Sequence, residues 1–212
     1  MDEYQPTIFV VDDDRSILKS IKRLLQSNGY KVETFPSAHE FMEFDYDSKG
    51  PACLILDVMM PEMSGLDLQE TILSWDISLP IVFITALHDV PTSVSAMKRG
   101  AVDFLTKPFK ETDLLNAIQS ALQKDLKMRA ASNELTNLKR QFALLTRRER
   151  EVLSHVVGGK LNKQIAFELD ISERTVKAHR AQVMEKMEVD SLAELVQMAG
   201  RLGVQPPSPD KG

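Results

Sequence analysis

Cysteine is almost absent from this sequence: Cys53 stands alone among 212 residues. That excludes an internal disulfide and any CxxC metal knuckle. Aromatics are scarce, at 6% with a single tryptophan. Long apolar runs are missing. Stretches such as Cys53–Leu56 and Ile81–Ile84 fall far short of the ~20 residues a membrane span needs. Met1-Asp2-Glu3 lacks the basic-then-apolar pattern of an export signal, so the expected location is the cytoplasm, with no membrane partner. The histidines show no zinc spacing, and Gly158-Gly159-Lys160 lacks the loop of a Walker phosphate site. What remains is ordinary globular composition, 43% hydrophobic and 27% charged. At roughly 100–200 residues per domain, the length allows one large or two small domains.

The charge is unevenly spread. Residues 1–125 carry a net −9 and residues 126–212 a net +4. An acidic half joined to a basic half suggests two domains with different partners, and the basic one is compatible with nucleic acid.

The first half alternates strand and helix signals. Thr7–Val11, Ala52–Leu56, Ile81–Ile84 and Val102–Leu105 are apolar runs rich in branched residues, and Lys31–Thr34 is a weaker, edge-like run. Continuous apolar strands belong to a parallel sheet covered on both faces. Between them, helical spacing recurs: Ile17, Leu18, Ile21, Leu24 and Leu25; then Leu66, Leu68, Ile72 and Leu73; then Val94 and Met97; then Leu114, Leu115, Ile118 and Leu122. The expected fold is a doubly wound, five-stranded parallel α/β domain.

In such sheets the working crevice lies beyond the carboxyl ends of the strands. Asp12-Asp13-Asp14, Asp57, Thr85 and Lys107 all stand there. Crowded carboxylates suit a hard divalent cation with oxygen ligands, and Mg²⁺ is the expected one. A carboxylate is also a nucleophile toward phosphorus. Lys107 and Thr85 can then hold two oxygens of the phosphoryl group. Asp14 reads as a helix cap. Thr85 or Phe104, taken singly, has an ordinary structural explanation. Asp57 beside Asp12 and Asp13 has none, because buried charges without a partner are costly.

The motifs VVDDD, LILDVMMPEMSG, ITA and DFLTKPF resemble the receiver domain of bacterial two-component response regulators, over about residues 6–124. The resemblance implies that Asp57 is the phosphoacceptor and that Asp13 is a direct metal ligand. Asp12 would act through water, and the carbonyl of Met59 would supply a further ligand. It matches Thr85 and Phe104 to the family's switch pair and Lys107 to its lysine, with a cis Lys107–Pro108 bond. Met59 and Leu87 occupy positions of variable chemistry and offer no polar group to orient water, which implies slow self-dephosphorylation. A phosphohydrolase with an aspartyl-phosphate intermediate is the rival reading. Such enzymes commonly add an Asp two residues after the nucleophile, where this chain has Met59. A DNA-binding protein with a vestigial receiver is a second rival, opposed by the complete acidic set.

No Gly or Pro occurs from Glu111 until Gly158. Met128, Ala131, Leu135, Leu138, Phe142 and Leu145 alternate three- and four-residue steps, a heptad seam. The seam could pair with a second subunit or pack on its own domains.

Beyond the seam, Thr146–Glu149 and Ser191–Glu194 fit capping boxes. Asn162 can cap a helix over Lys163–Leu169, Asp170-Ile171-Ser172 forms a turn, and Glu173–Met187 forms the next helix. Two short helices about a three-residue turn make a helix-turn-helix. Arg174, Lys177 and Arg180 lie in the N-terminal half of the second, where a recognition helix meets the major groove. This region resembles the four-helix DNA-binding domain of the LuxR/NarL type, over about residues 142–204. By that resemblance Lys177, Ala178 and Ala181 approach base edges. Asn162, Lys163, Thr175, His179 and Arg180 are phosphate or base candidates, with a packed structural role open for His179. The last helix, Leu192–Leu202, would be the dimer element.

The whole chain resembles the FixJ/NarL group of transcriptional regulators. The expected organisation is a receiver at 1–124, a helical linker at 125–141, a helix-turn-helix domain at 142–205 and a disordered tail at 206–212. The expected partners are a sensor histidine kinase, promoter DNA, a second copy on phosphorylation and RNA polymerase. An enzyme acting on a free substrate is not expected.

Overall fold

The computed structural model describes residues 5–45, 50–75, 77–86 and 90–207. Two compact units meet in sequence at Arg129–Ala130.

The first unit runs β1 (Thr7–Val11), α1 (Arg15–Ser27), β2 (Lys31–Phe35), α2 (Ala38–Glu43), β3 (Ala52–Asp57), α3 (Gly65–Ser74), β4 (Ile81–Thr85), α4 (Val90–Lys98) and β5 (Asp103–Thr106). The strands form one parallel sheet in the order β2-β1-β3-β4-β5. The strand order reverses between β1 and β3, and a crevice opens at such a switch point. Val11 pairs with Leu56. The residue that follows each, Asp12 and Asp57, therefore reaches the same edge.

Every β3 and β4 residue is buried, as expected for strands covered on both faces. One face packs Phe9, Leu54, Leu56 and Phe83 against Leu68 and Ile72 of α3. The other packs Ile8, Val10, Ile55 and Ile84 against Leu18, Ile21 and Leu25 of α1 and Leu114 and Ile118. Each such side chain contributes about 1.5–3 kcal/mol when fully buried. The edge-like run is indeed an edge, since β2 pairs only with β1 among the described strands. Three apolar residues read from helical spacing face outward instead. Leu73, Val94 and Met97 are exposed, and Gln69 and Ala96 are buried on α3 and α4.

α5 (Glu111–Ala143) is a single 33-residue helix. The uninterrupted stretch after Glu111 thus does continue into a connector. Its seam is unevenly covered. Leu138 and Leu145, the residue just beyond the helix, are buried, Met128, Leu135 and Phe142 half-buried, and Ala131 exposed. Among the described residues no helix is long and apolar enough to cross a membrane.

The second unit adds α6 (Arg147–Val157), α7 (Asn162–Leu169), α8 (Glu173–Lys186) and α9 (Leu192–Arg201). Val152, Leu153, Ile165, Val176, Val183, Met187 and Leu195 build its core. The α7–α8 turn is set by Asp170 in the left-handed region, at φ 52°, which Asp tolerates better than most residues. Asn162 is not the cap of α7. Leu161 takes that place, and the Gln164 carboxamide accepts its N–H at 2.8 Å. The Asn162 side chain is held elsewhere. Tail residues 208–212 and Leu87 lie outside the described residues.

Candidate functional site

The acidic pocket assembles at the carboxyl edge of the sheet. Asp12 and Asp57 are buried and Asp13 is exposed; one carboxylate oxygen from each lies within 4.8 Å of the other two. Lys107, just after β5, reaches across. Its Nζ donates to Asp12 Oδ2 at 2.6 Å and to Asp57 Oδ2 at 2.7 Å. Its backbone N–H donates to the Thr85 carbonyl at 2.7 Å, which ties β4 to the pocket. The Lys107–Pro108 bond is cis.

Backbone donors complete the carboxylates. The Asp14 N–H bonds Asp12 Oδ1 at 2.9 Å, and the Met59 N–H bonds Asp57 Oδ1 at 3.1 Å. Asp14 itself caps α1, accepting from Ser16 N–H at 2.8 Å. Burial pushes the Asp12 carboxyl above its ordinary range, against the pull of Lys107 and the Asp14 N–H. Burial also opposes the charge of Lys107, but its bonds to Asp12 and Asp57 outweigh that and hold the ammonium above the usual lysine value. The directions are compatible, because one ammonium serves two carboxylates. An additional cation would relieve Asp12, and three clustered carboxylates are the hard oxygen donors it needs. The residues present therefore fit a divalent ion.

Thr85 is buried at the end of β4. Phe104 is half-buried on β5, its ring 6.2 Å from that of Phe83. The Met59 side chain is exposed. The structure thus brings Asp12, Asp13, Asp57 and Lys107 together, with Thr85 on the neighbouring strand end. Beside Lys107 an apolar groove is lined by Ile17, Ile21 and Leu24 of α1 and by Pro108 and Phe109.

One pocket residue was not singled out from sequence. Gly65 opens α3, and a Cβ there would stand 2.1 Å from the Asp57 carbonyl oxygen. Only glycine permits that approach. Its position in Met63-Ser64-Gly65 signals a helix start but not what lies opposite.

On α8, Arg174, Lys177, Ala178 and Ala181 are exposed, while Val176 and Val183 face the core. Thr175 and Ser172 hydroxyls lie 2.8 Å apart. His179 and Arg180 are half-buried, and Lys163 on α7 is exposed. Arg180 Nη1 donates to Asn162 Oδ1 at 2.7 Å. The carboxylate of Glu149 on α6 accepts from Lys186 Nζ at 2.7 and 2.9 Å and from the Thr146 N–H at 2.7 Å. These bonds outweigh the cost of burying its charge and hold it below the usual carboxylate range.

Comparison with known proteins agrees with both geometries. Residues 8–119 match the response regulator receiver domain, and residues 143–199 match the bacterial regulatory proteins of the luxR family. The response regulator protein TmoT of Ectopseudomonas mendocina is 45% identical over 202 residues, covering 95% of this chain and 91% of its own. The transcriptional regulatory protein FixJ of Rhizobium meliloti is 42% identical over 193 residues, covering 91% of this chain and 94% of its own. The solved structure of response regulator StyR shares 47% identity at a TM-score of 0.82, covering 93% of this chain and 99% of that one. The acidic pocket on a five-stranded parallel sheet and the helix-turn-helix that follows it place this chain in the FixJ-type response regulator family, transcription regulators that join a receiver to a LuxR-type DNA-binding domain.

Proposed function

We propose that Asp57 accepts a phosphoryl group from a sensor histidine kinase and that this controls dimerisation and promoter binding. The observation that carries the reading is Lys107 bonded to both Asp12 and Asp57. It is a preformed positive partner at the carboxylate that would react. An Asp57 oxygen attacks phosphorus, the bond from phosphorus to the donor imidazole breaks, and its electron pair returns to the ring nitrogen. Lys107 then neutralises one phosphoryl oxygen and the Thr85 hydroxyl bonds another. Asp12, Asp13, Asp57 and the Met59 carbonyl would hold Mg²⁺, which when bound offsets the charge gathered there.

The apolar groove between α1 and Phe109 opens beside Lys107 and suits an amphipathic kinase helix. On phosphorylation, Thr85 and Phe104 rearrange together and reshape the face of α4, β5 and α5. Exposed Val94 and Met97 on α4 favour that face as a receiver dimer surface. A dimer carries two copies of α8, with Lys177, Ala178 and Ala181 at base edges. Arg174, Thr175, His179, Lys163, Asn162 and Arg180 are further candidates for DNA contact.

The domain limits follow the same reading: receiver 1–124, linker 125–141, DNA-binding domain 142–205 and tail 206–212. The chain acts in the cytoplasm, where kinase, promoter and RNA polymerase meet, and turns over no free substrate. The test is sedimentation and DNA affinity with and without an acyl phosphate donor and Mg²⁺. Dimer formation and tighter binding after phosphorylation are expected. An unchanged mass and unchanged affinity would overturn the scheme.

A further inference from the structure

Asn162 opens α7, and Arg180 lies on α8, eighteen positions later in the chain. The two meet across the helix-turn-helix at 2.7 Å. We infer that Asn162 is a positioning residue for DNA binding: its amide oxygen aims the Arg180 guanidinium at a backbone phosphate. The inference rests on the DNA-contact reading above and divides the roles within it.

Arg180 shares with Arg140, which donates to Asn137 Oδ1 at 2.9 Å, a neutral amide partner in place of a carboxylate. Arg147 and Arg148 share Glu151, Lys160 pairs with Glu168, Lys186 with Glu149 and Arg201 with Glu134. Arg180 is bonded instead to a neutral amide, and among the described residues no carboxylate pairs with it. Its full positive charge remains for a partner. A guanidinium has several N–H donors in a rigid fork. One is committed to Asn162, and the others stay available.

Placement decides what that partner is. Arg174, Lys177, Ala178 and Ala181 occupy the exposed side of α8, while Arg180 is half-buried at its flank, against the first residue of α7. In a helix-turn-helix the second helix enters the groove and the first crosses the backbone. The flank between them meets phosphate rather than base edges. An arginine already held in its binding geometry loses less freedom on contact. Asn162 does not cap α7 because Leu161 holds the extended cap backbone and Asn162 is already the first helical residue, which leaves its side chain for Arg180.

The distinguishing property is salt dependence. Each phosphate neutralised by a cation adds about 0.9 to the slope of log affinity against log salt. A neutral asparagine that touches DNA directly adds nothing to that slope. An asparagine that acts through Arg180 controls one full contact.

The experiment uses the full chain and a duplex it selects from a random-sequence pool, titrated across a KCl series. Wild type, Asn162→Ala, Arg180→Ala and the double variant are compared. Both single variants should lower the slope by about 0.9 for each bound subunit and weaken binding about tenfold per subunit, and the double should match Arg180→Ala alone. An Asn162→Ala variant that binds weakly with the wild-type slope would overturn the positioning role while leaving the Arg180 contact intact. A double variant weaker than Arg180→Ala by the full Asn162 factor would also overturn it, since that marks an independent contact or local unpacking. An unchanged slope in Arg180→Ala removes the phosphate contact and the inference with it. A wild-type affinity insensitive to salt sinks the DNA-contact reading itself.

Discussion

Lys107 Nζ stands 2.7 Å from Asp57 Oδ2, although the residues are fifty positions apart and follow different strands of the sheet. The same nitrogen bonds Asp12 at 2.6 Å. The pocket is therefore held by one shared cation, and its stability depends on what supplies positive charge.

Lys107→Ala leaves two crowded, buried carboxylates without their ammonium. The receiver should lose about 3–5 kcal/mol when no divalent ion is present. Added Mg²⁺ should then raise the melting temperature of the variant more than that of wild type, because the ion binds only the folded pocket. Thermal melts with and without Mg²⁺ check this. Equal shifts in the two proteins would count against the charge-sharing account.

Gly65→Ala places a methyl group 2.1 Å from the Asp57 carbonyl oxygen. The nearest atoms are Asp57 backbone, with buried Leu56 Cγ at 3.0 Å, so the clash is not relieved by turning one flexible side chain. The expected loss is about 2–4 kcal/mol, with slowed phosphorylation as Asp57 shifts. Urea unfolding and phosphorylation rates measure the two effects.

The five parallel strands, the rim residues and the helix-turn-helix were largely legible in sequence, because each rests on local pattern; the order of the strands was not. Apolar runs mark the strands, and the residue after each run marks the rim. Gly65 was not legible as a pocket residue, since its constraint is the Asp57 carbonyl brought close by the fold. Nor was Asp125, a buried carboxylate on α5 that accepts the Ala52 N–H at 2.9 Å and Arg129 Nε at 2.6 Å. Its β3 partner is 73 positions away, and its spacing from Arg129 looks like an ordinary exposed helix pair. Asn162 misled for the opposite reason. Its residue type suits a cap, but the helix begins one residue earlier than that type suggests, with Leu161 in the extended cap conformation.

The second unit should lose stability in two pH windows. Burial, then the Lys160 charge, lowers the pKa of His155 below its ordinary 6.5. The unfolded chain binds that proton more readily, so stability falls as pH drops below 6.5 and levels off below the folded value. Glu149 is also depressed, and its contribution is present above the ordinary 4.5 and lost as pH falls through the folded value. Glu149→Gln should cost about 1–3 kcal/mol at neutral pH and flatten only the lower window. Denaturant midpoints of this unit from pH 8 down to about pH 3 test both signs.

Lys177→Ala should cost about 1–3 kcal/mol in DNA affinity and relax sequence choice, as expected for a side chain that reads a base. Competition between selected and scrambled duplexes is the readout. A uniform loss across all sequences would reassign Lys177 to phosphate.

The central claim is chemistry at Asp57. The most direct measurement is intact mass after incubation with Mg²⁺ and a small acyl phosphate, for wild type and Asp57→Asn. The account predicts the gain of a single phosphoryl group in wild type and none in the variant. A gain of the same size in Asp57→Asn, or no gain in wild type, would contradict it.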